Sequence, residues 1–171
     1  MKQGYIQVYT GNGKGKTTAA VGLAMRAAGA GFRVCFCQFL KGRASSEHSA
    51  LARFPESITV YRSGKKTFVI EPTGSDRLAV RRCFNKAATA IASNDYSVVV
   101  LDEIIAVVRL GLIDIQELLE VLRTRPVGVE IVCTGRDAPQ ELLELADLVT
   151  EMKEIKHYFT KGVNARTGIE K

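Results

Sequence analysis

The stretch Tyr9-Thr10-Gly11-Asn12-Gly13-Lys14-Gly15-Lys16-Thr17-Thr18 constrains this chain more than any other segment. Before it, Tyr5 to Tyr9 has the β-branched and aromatic content of a short strand. After it, Thr18 to Ala30 is rich in Ala, Leu and Met, as a helix is. A glycine-rich turn between a strand and a helix N-terminus aims backbone N–H groups and the positive end of the helix dipole at one spot, so it holds a polyphosphate. Lys16 is expected to reach the phosphate oxygens, and the Thr17 hydroxyl to sit on a magnesium ion. The regular pattern is G-x-x-x-x-G-K-[ST]. Here Thr10 stands at the first glycine position, Gly11 comes one residue late, and Gly13 and Lys14 are additional. An extra cation suits a site in which negative charge accumulates on the polyphosphate itself.

Strand and helix signals alternate along the rest of the chain, which predicts an α/β layered fold with a mostly parallel sheet. Gly29-Ala30-Gly31 ends the first helix, and Phe32 to Phe39 reads as the second strand. A polar loop from Leu40 to Ser46 precedes a short helix around Glu47 to Phe54. Ile58 to Tyr61 is a brief strand, Arg62 to Gly74 a long surface loop, and Ser75-Asp76 opens a helix to about Ala92. Ser97 to Leu101 is an unbroken apolar run, the pattern of a strand buried on both faces. A helix over Leu118 to Arg123, strands at Gly128 to Cys133 and Asp147 to Met152, and a polar tail from Lys153 to Lys171 complete the reading.

With 171 residues, the chain is expected to form a single domain over 1–171, burying roughly two thirds of its unfolded surface. No apolar run approaches the roughly 18 residues of a membrane span, and the N-terminus lacks the layout of a signal peptide. Cys35, Cys37, Cys83 and Cys133 form no C-x-x-C pair; the first two fall on one strand face, as small core hydrophobes do. These features predict a reduced, cytoplasmic protein without a membrane partner. The net charge of +6 is dispersed and not interleaved with exposed aromatics, which disfavours nucleic acid. Attraction to a triphosphate and a second anionic substrate explains the balance equally well.

Ligands of open α/β sheets bind at the carboxyl ends of the strands, and three further features fall there. Asp102-Glu103 follows the buried run and faces the phosphate loop, where one of the two acids holds magnesium or, alternatively, the pair caps the next helix. Thr134-Gly135-Arg136 follows another buried strand; Arg136 either neutralises a terminal phosphate or pairs on the surface with Asp137 or Glu141. In Gln38-Phe39-Leu40-Lys41-Gly42, with Glu47 beyond, Lys41 either approaches a bound nucleotide or is solvated.

Together these segments resemble the ATP:corrinoid adenosyltransferases of bacterial cobalamin synthesis and salvage. Thr10 to Thr18 (TGNGKGKTT) is similar to that family's version of the phosphate loop. QFLKG with Glu47, VLDEI from Val100, TGR from Thr134 with Ala138-Pro139, ADLVTEM from Ala146, Lys156-His157 and the tail KGVNARTGIE from Lys161 resemble its later motifs. The resemblance implies a three-layer P-loop NTPase-like (RecA-like) fold and an unusual use of ATP. A reduced corrinoid, as Co(I), attacks the ribose C5′ carbon, the whole triphosphate leaves, and the nucleotide lies reversed in the loop.

On that reading Thr10, Gly11, Asn12, Gly13, Lys14, Gly15, Lys16, Thr17, Thr18 and Lys41 bind the nucleotide, and Lys14, Lys16 and Arg136 stabilise the leaving triphosphate. Magnesium falls to Thr17 and Glu103, with Glu103 preferred over Asp102. Family members carry a G-x-G-F-x-W-like segment facing the corrinoid; here Phe68 stands at the Phe position and Ile70 at the Trp position, and the chain has no tryptophan. Alternatively, Phe68 anchors the loop to the core. The first strand is expected almost at the start, without the N-terminal extension of some members. A homodimer and an electron donor such as a flavoprotein are further implications. The competing readings are a P-loop ATPase, in which Glu103 positions a water for attack on the γ-phosphate, and a sensor or partner-binding module that holds ATP without turning it over.

Overall fold

The computed structural model describes residues 2–42, 45–64 and 72–170. Six strands form one sheet in the order β3-β2-β4-β5-β1-β6: β1 Ile6–Thr10, β2 Val34–Gln38, β3 Ile58–Arg62, β4 Val98–Asp102, β5 Glu130–Thr134 and β6 Leu148–Glu151. Every pairing is parallel, so the mostly parallel sheet read from the sequence is wholly parallel among the described residues. The helices are α1 Lys16–Gly29, α2 Ser46–Leu51, α3 Gly74–Ala92, α4 Ile104–Arg109, α5 Ile115–Arg123 and α6 Gln140–Leu145.

The alternation of side chains along each strand divides the core in two. Val34, Phe36, Val98, Val100 and Val132 pack against Ala20, Ala24 and Ala27 of α1 on one face. Cys35, Cys37, Val99, Leu101, Ile131 and Cys133 pack on the other face with Phe84 and Ile91 of α3, Leu118 and Leu122 of α5, and Leu142 of α6. Helices on both faces of a parallel sheet make the layered α/β fold that the alternating pattern predicted, with the three layers that the resemblance implied. β2, β4 and β5 are buried along their whole length, which explains why their sequences read as continuous apolar runs. Cys35 and Cys37 lie in the core with their Sγ atoms 3.6 Å apart, in the hydrophobic role expected of them. Among the described residues, no helix is long and apolar enough to cross a membrane.

The same alternation aims the functional face. Gln38, Asp102 and Thr134 end β2, β4 and β5 in phase with Phe36, Val100 and Val132, so they emerge on the α1 side of the sheet. Parallel register sets Gln38 beside Asp102. A register slip of one residue would turn all of these groups to the opposite face.

The elements differ from expectation mainly at their ends. β2 begins at Val34 because the Phe32 N–H is taken by Ala27 O at 3.0 Å, in the turn that closes α1. Helix α6 was not anticipated, and α4 entered only as the helix that the Asp102-Glu103 pair would cap; at six residues each, both are too short for a helical period to stand out. The supposed polar tail contains a 3-10 turn at Tyr158–Lys161 and folds back across the phosphate loop. Phe68 and Ile70, the residues assigned to the corrinoid, lie outside the described residues.

Phe36 is fully buried between α1 and the sheet. Phe36→Ala should therefore cost about 3–5 kcal/mol. Equilibrium urea unfolding would report it as a lowered midpoint with little change in slope.

Candidate functional site

A cavity of about 590 Å³ opens at the carboxyl edge of the sheet. Its floor is the loop from Asn12 to Thr18, and its walls include Lys41 and Glu47, Glu103, Arg136, and the tail residues Glu154, His157 and Gly168 to Glu170. The structure thus brings together the loop, Lys41, Glu103 and Arg136, which lie far apart in sequence. Thr10 stays beneath the loop as the buried end of β1, where its Oγ1 accepts from Ala138 N at 3.2 Å. Gly11 is absent from the cavity lining and serves the loop's fold.

The unusual loop sequence has a steric cause. The chain leaving β6 crosses directly over the loop, with Gly13 N donating to Met152 O at 2.7 Å and Glu154 N to Asn12 Oδ1 at 3.2 Å. A Cβ at Gly11 would fall 2.4 Å from Met152 O, and one at Gly13 would fall 2.7 Å from the same atom. Both positions therefore require glycine, and Gly11 also takes a φ of 94°. The additional glycines fit the loop under its own roof.

The cations are held ready by internal partners. Lys16 is 7% exposed and its Nζ donates to Gly11 O at 2.6 Å and Gly13 O at 2.7 Å. Burial lowers its pKa from the usual lysine value, while Glu103 and Asp102 act in the opposite sense. Lys14 is exposed and bonds the tail, 3.2 Å from Glu170 Oε1 and 3.3 Å from Tyr158 Oη. Arg136 lines the cavity, and Asp137, offered by the sequence as its surface partner, instead pairs with Arg109 at 2.6 Å. Lys41 pairs with Glu47 at the cavity wall, so it is neither isolated nor simply solvated.

The two acids after β4 are strongly distinguished. Asp102 is fully buried and accepts from Thr17 Oγ1 at 3.0 Å, Gln38 Nε2 at 2.7 Å and Thr134 Oγ1 at 2.7 Å. Glu103 sits at φ 63°, ψ 19°, a left-handed conformation uncommon outside glycine, with its N–H held by Thr134 Oγ1 at 2.9 Å. Strain at such a position is tolerated where the surroundings over-determine it. The effect is to aim Glu103 into the cavity, where no described side chain hydrogen-bonds its carboxylate. Burial and then the charge of Asp102 raise the Glu103 pKa. A cation beside it would reverse that pressure. An all-oxygen set of Thr17 hydroxyl and carboxylate fits a hard divalent ion such as magnesium.

Gln38, Thr134, His48 and the tail residues Tyr158 and Glu170 are structural members of this site that residue-level reading did not assign roles to. For Gln38 and Thr134 a signal existed: each is a polar residue directly after an apolar stretch of its strand, at the edge where parallel sheets bind ligands.

A strand–loop–helix phosphate cradle with an acid at the end of a buried strand one place removed in the sheet defines a P-loop nucleotide-binding protein. Residues 2–170 match the family ATP:corrinoid adenosyltransferase BtuR/CobO/CobP, and the chain belongs to that family. It is 36% identical over 171 residues to a corrinoid adenosyltransferase of Pseudomonas aeruginosa, covering 99% of this chain and 84% of that protein. A corrinoid adenosyltransferase of Escherichia coli K12 is 37% identical over 170 residues, at 99% and 86% coverage. An uncharacterized protein of Nostoc sp. is 44% identical over 169 residues, and there the match spans 90% of this chain but 45% of the relative.

Two outcomes test the geometry. Gly13→Ala should weaken ATP binding, because moving the Met152 backbone aside costs about 1–3 kcal/mol. Gly22→Ala, with nothing within 4 Å of the added carbon, should leave binding intact, and calorimetric titration would compare the two. Burial alone would raise the Glu47 carboxyl, but bonds from Lys41 and Ser45 outweigh it and bring it from 4.5 to about 2. Its stabilising effect is then present above pH 4.5 and lost as pH falls toward 2. Lys41→Met should move the Glu47 titration, followed by carboxyl-carbon NMR, back up toward 4.5.

Proposed function

We propose that this chain transfers the 5′-deoxyadenosyl group of ATP to the Co(I) centre of a reduced corrinoid and releases inorganic triphosphate. The observation that carries the reading is the family match over residues 2–170. Within that span the motif residues Lys16, Thr17, Glu103 and Arg136 line one cavity. In the reaction a Co–C bond forms as the C5′–O bond breaks. The corrinoid supplies both electrons, and the electron pair of the broken bond leaves with the triphosphate. The nucleophile arrives with the substrate, so the protein's task is to align the C5′ carbon and stabilise the growing negative charge.

The residues divide that task. The loop amides from Asn12 to Thr18 and the Lys16 ammonium receive the triphosphate; Lys16 exchanges its two loop carbonyl partners for phosphate oxygens. Lys14 and Arg136 add charge from the cavity lining, and Lys41 with Glu47 forms part of its wall. Thr17 and Glu103 would hold magnesium, whose positive charge offsets charge gathered on the leaving group. Asp102 holds the Thr17 hydroxyl and leaves the coordinating role to Glu103. Phe68 and Ile70 are assigned to the corrinoid by the resemblance alone. An electron donor such as a flavoprotein would deliver the electron that makes Co(I) from Co(II). A homodimer suits the exposed Leu148 and Val149 of the edge strand β6.

The test is to incubate the protein with ATP, magnesium and chemically reduced cobalamin, then follow formation of a light-sensitive adenosylated product. The parent protein should form it. Lys16→Ala should fold normally yet lose ATP binding in a filter or calorimetric assay. Glu103→Gln should reduce magnesium-dependent turnover far more than it reduces ATP binding without metal. A parent protein that binds ATP but leaves the corrinoid unalkylated would overturn the reading.

A further inference from the structure

The buried carboxylate of Asp102 stands at one end of a hydrogen-bond chain that leaves the loop and ends in another helix. Gln38 Nε2 donates to Asp102 Oδ2 at 2.7 Å, and Gln38 Oε1 meets His48 Nε2 of α2. On the far side of the ring, Ser45 N donates to His48 Nδ1 at 3.0 Å. Both ends of this chain have a fixed sense. A backbone N–H can only donate, and an ionised carboxylate can only accept. Ser45 N therefore makes His48 Nδ1 the acceptor nitrogen, which leaves the ring proton on Nε2. That proton goes to Gln38 Oε1, and the amide must then present its NH2 group to Asp102. Arg62 Nη1, 3.3 Å from Nδ1, is also a donor only and reinforces the same tautomer. Burial first, and then the Arg62 charge, keep the imidazole pKa below its usual value, in accord with a neutral ring.

We propose that His48, as the Nε2–H tautomer, is a positioning residue that fixes the Gln38 amide and through it the Asp102 carboxylate that orients the Thr17 hydroxyl. Without the ring proton, Asp102 alone among the described residues orients the Gln38 amide, and an acceptor in the place of Nε2 would draw the NH2 group away from it. Oxygen would then face oxygen, and the carboxylate would lose one of the three donors that hold it. The Thr17 hydroxyl would lose its fixed acceptor. Because Ser46, Glu47 and Ala50 of α2 line the cavity, the same chain ties one cavity wall to the centre of the site. The inference rests on the assignment of Thr17 and Glu103 to magnesium, and does not depend on corrinoid chemistry.

Two replacements separate positioning from simple helix capping. His48 is the third residue of α2, where Glu or Gln completes a capping box with Ser45. His48→Gln keeps both the cap acceptor and an N–H donor for Gln38. His48→Glu keeps the cap but offers no donor. The readout is the ratio of ATP dissociation constants with chelator and with magnesium, measured by calorimetry on the full chain without corrinoid. His48→Glu should lose roughly tenfold or more of the affinity that magnesium adds, the usual effect of losing an outer partner of a metal site. His48→Gln should stay within about twofold of the parent, since it keeps the hydrogen bond. Long-range proton–nitrogen NMR of the metal-free parent should show His48 protonated at Nε2 and bare at Nδ1. An Nδ1–H tautomer, or equal magnesium dependence in parent, Gln and Glu proteins, would overturn the proposal. Absence of corrinoid alkylation with the magnesium ratios as expected would overturn the assigned activity and leave the role of His48 standing.

Discussion

A carboxylate with no exposed surface must be matched by donors, since an uncompensated buried charge is among the most costly features a fold can carry. Asp102 is such a group, and its donors come from three separate elements: Thr17 at the start of α1, Gln38 at the end of β2 and Thr134 at the end of β5. The phosphate loop therefore cannot shift against the sheet without taking one of its three donors from this charge. Thr134 also receives the Glu103 N–H, so the hydroxyl that holds one acid sets the backbone that aims the other. Adjacent acids thus take different parts, one buried and structural, the other turned into the cavity.

The glycine and lysine content of the loop follows from its roof. The exit of β6 lies so close that side chains at Gly11 and Gly13 would meet the Met152 backbone. With the loop pinned from above, Lys16 folds onto the carbonyls of Gly11 and Gly13, and Lys14 reaches the tail carboxylate of Glu170. These partners keep both ammonium groups at the cavity in the absence of a polyphosphate. Cations already in place suit stabilisation of charge that appears in the transition state, because little reorganisation is then needed.

Much of this was legible from residues alone, and the exceptions have physical reasons. The loop, the buried β4 run and the parallel sheet showed themselves because apolar continuity and glycine spacing are local signals. Asp102 and Glu103 were placed together, but their separation into a buried and a cavity-facing acid depends on a φ of 63° at Glu103, which no local pattern announces. The His48–Gln38 link joins residues ten positions apart through a helix start and a strand end, and only the fold brings them together. The tail from Lys153 read only as polar because its partners, Asn12 and Lys14, lie 142 and 156 residues earlier in the chain. Sequence periodicity carries no information about contacts of that range.

A site that loads its cations onto a polyphosphate and leaves the nucleophile to the second substrate should break ATP at a bond other than that between β- and γ-phosphates. Phosphorus NMR of a reaction containing ATP, magnesium and Co(I) corrinoid measures this most directly. Inorganic triphosphate should appear in step with the alkylated corrinoid, one for one, without ADP. Release of ADP and orthophosphate at a rate indifferent to the corrinoid would contradict adenosyl transfer and mark the chain as an ATPase.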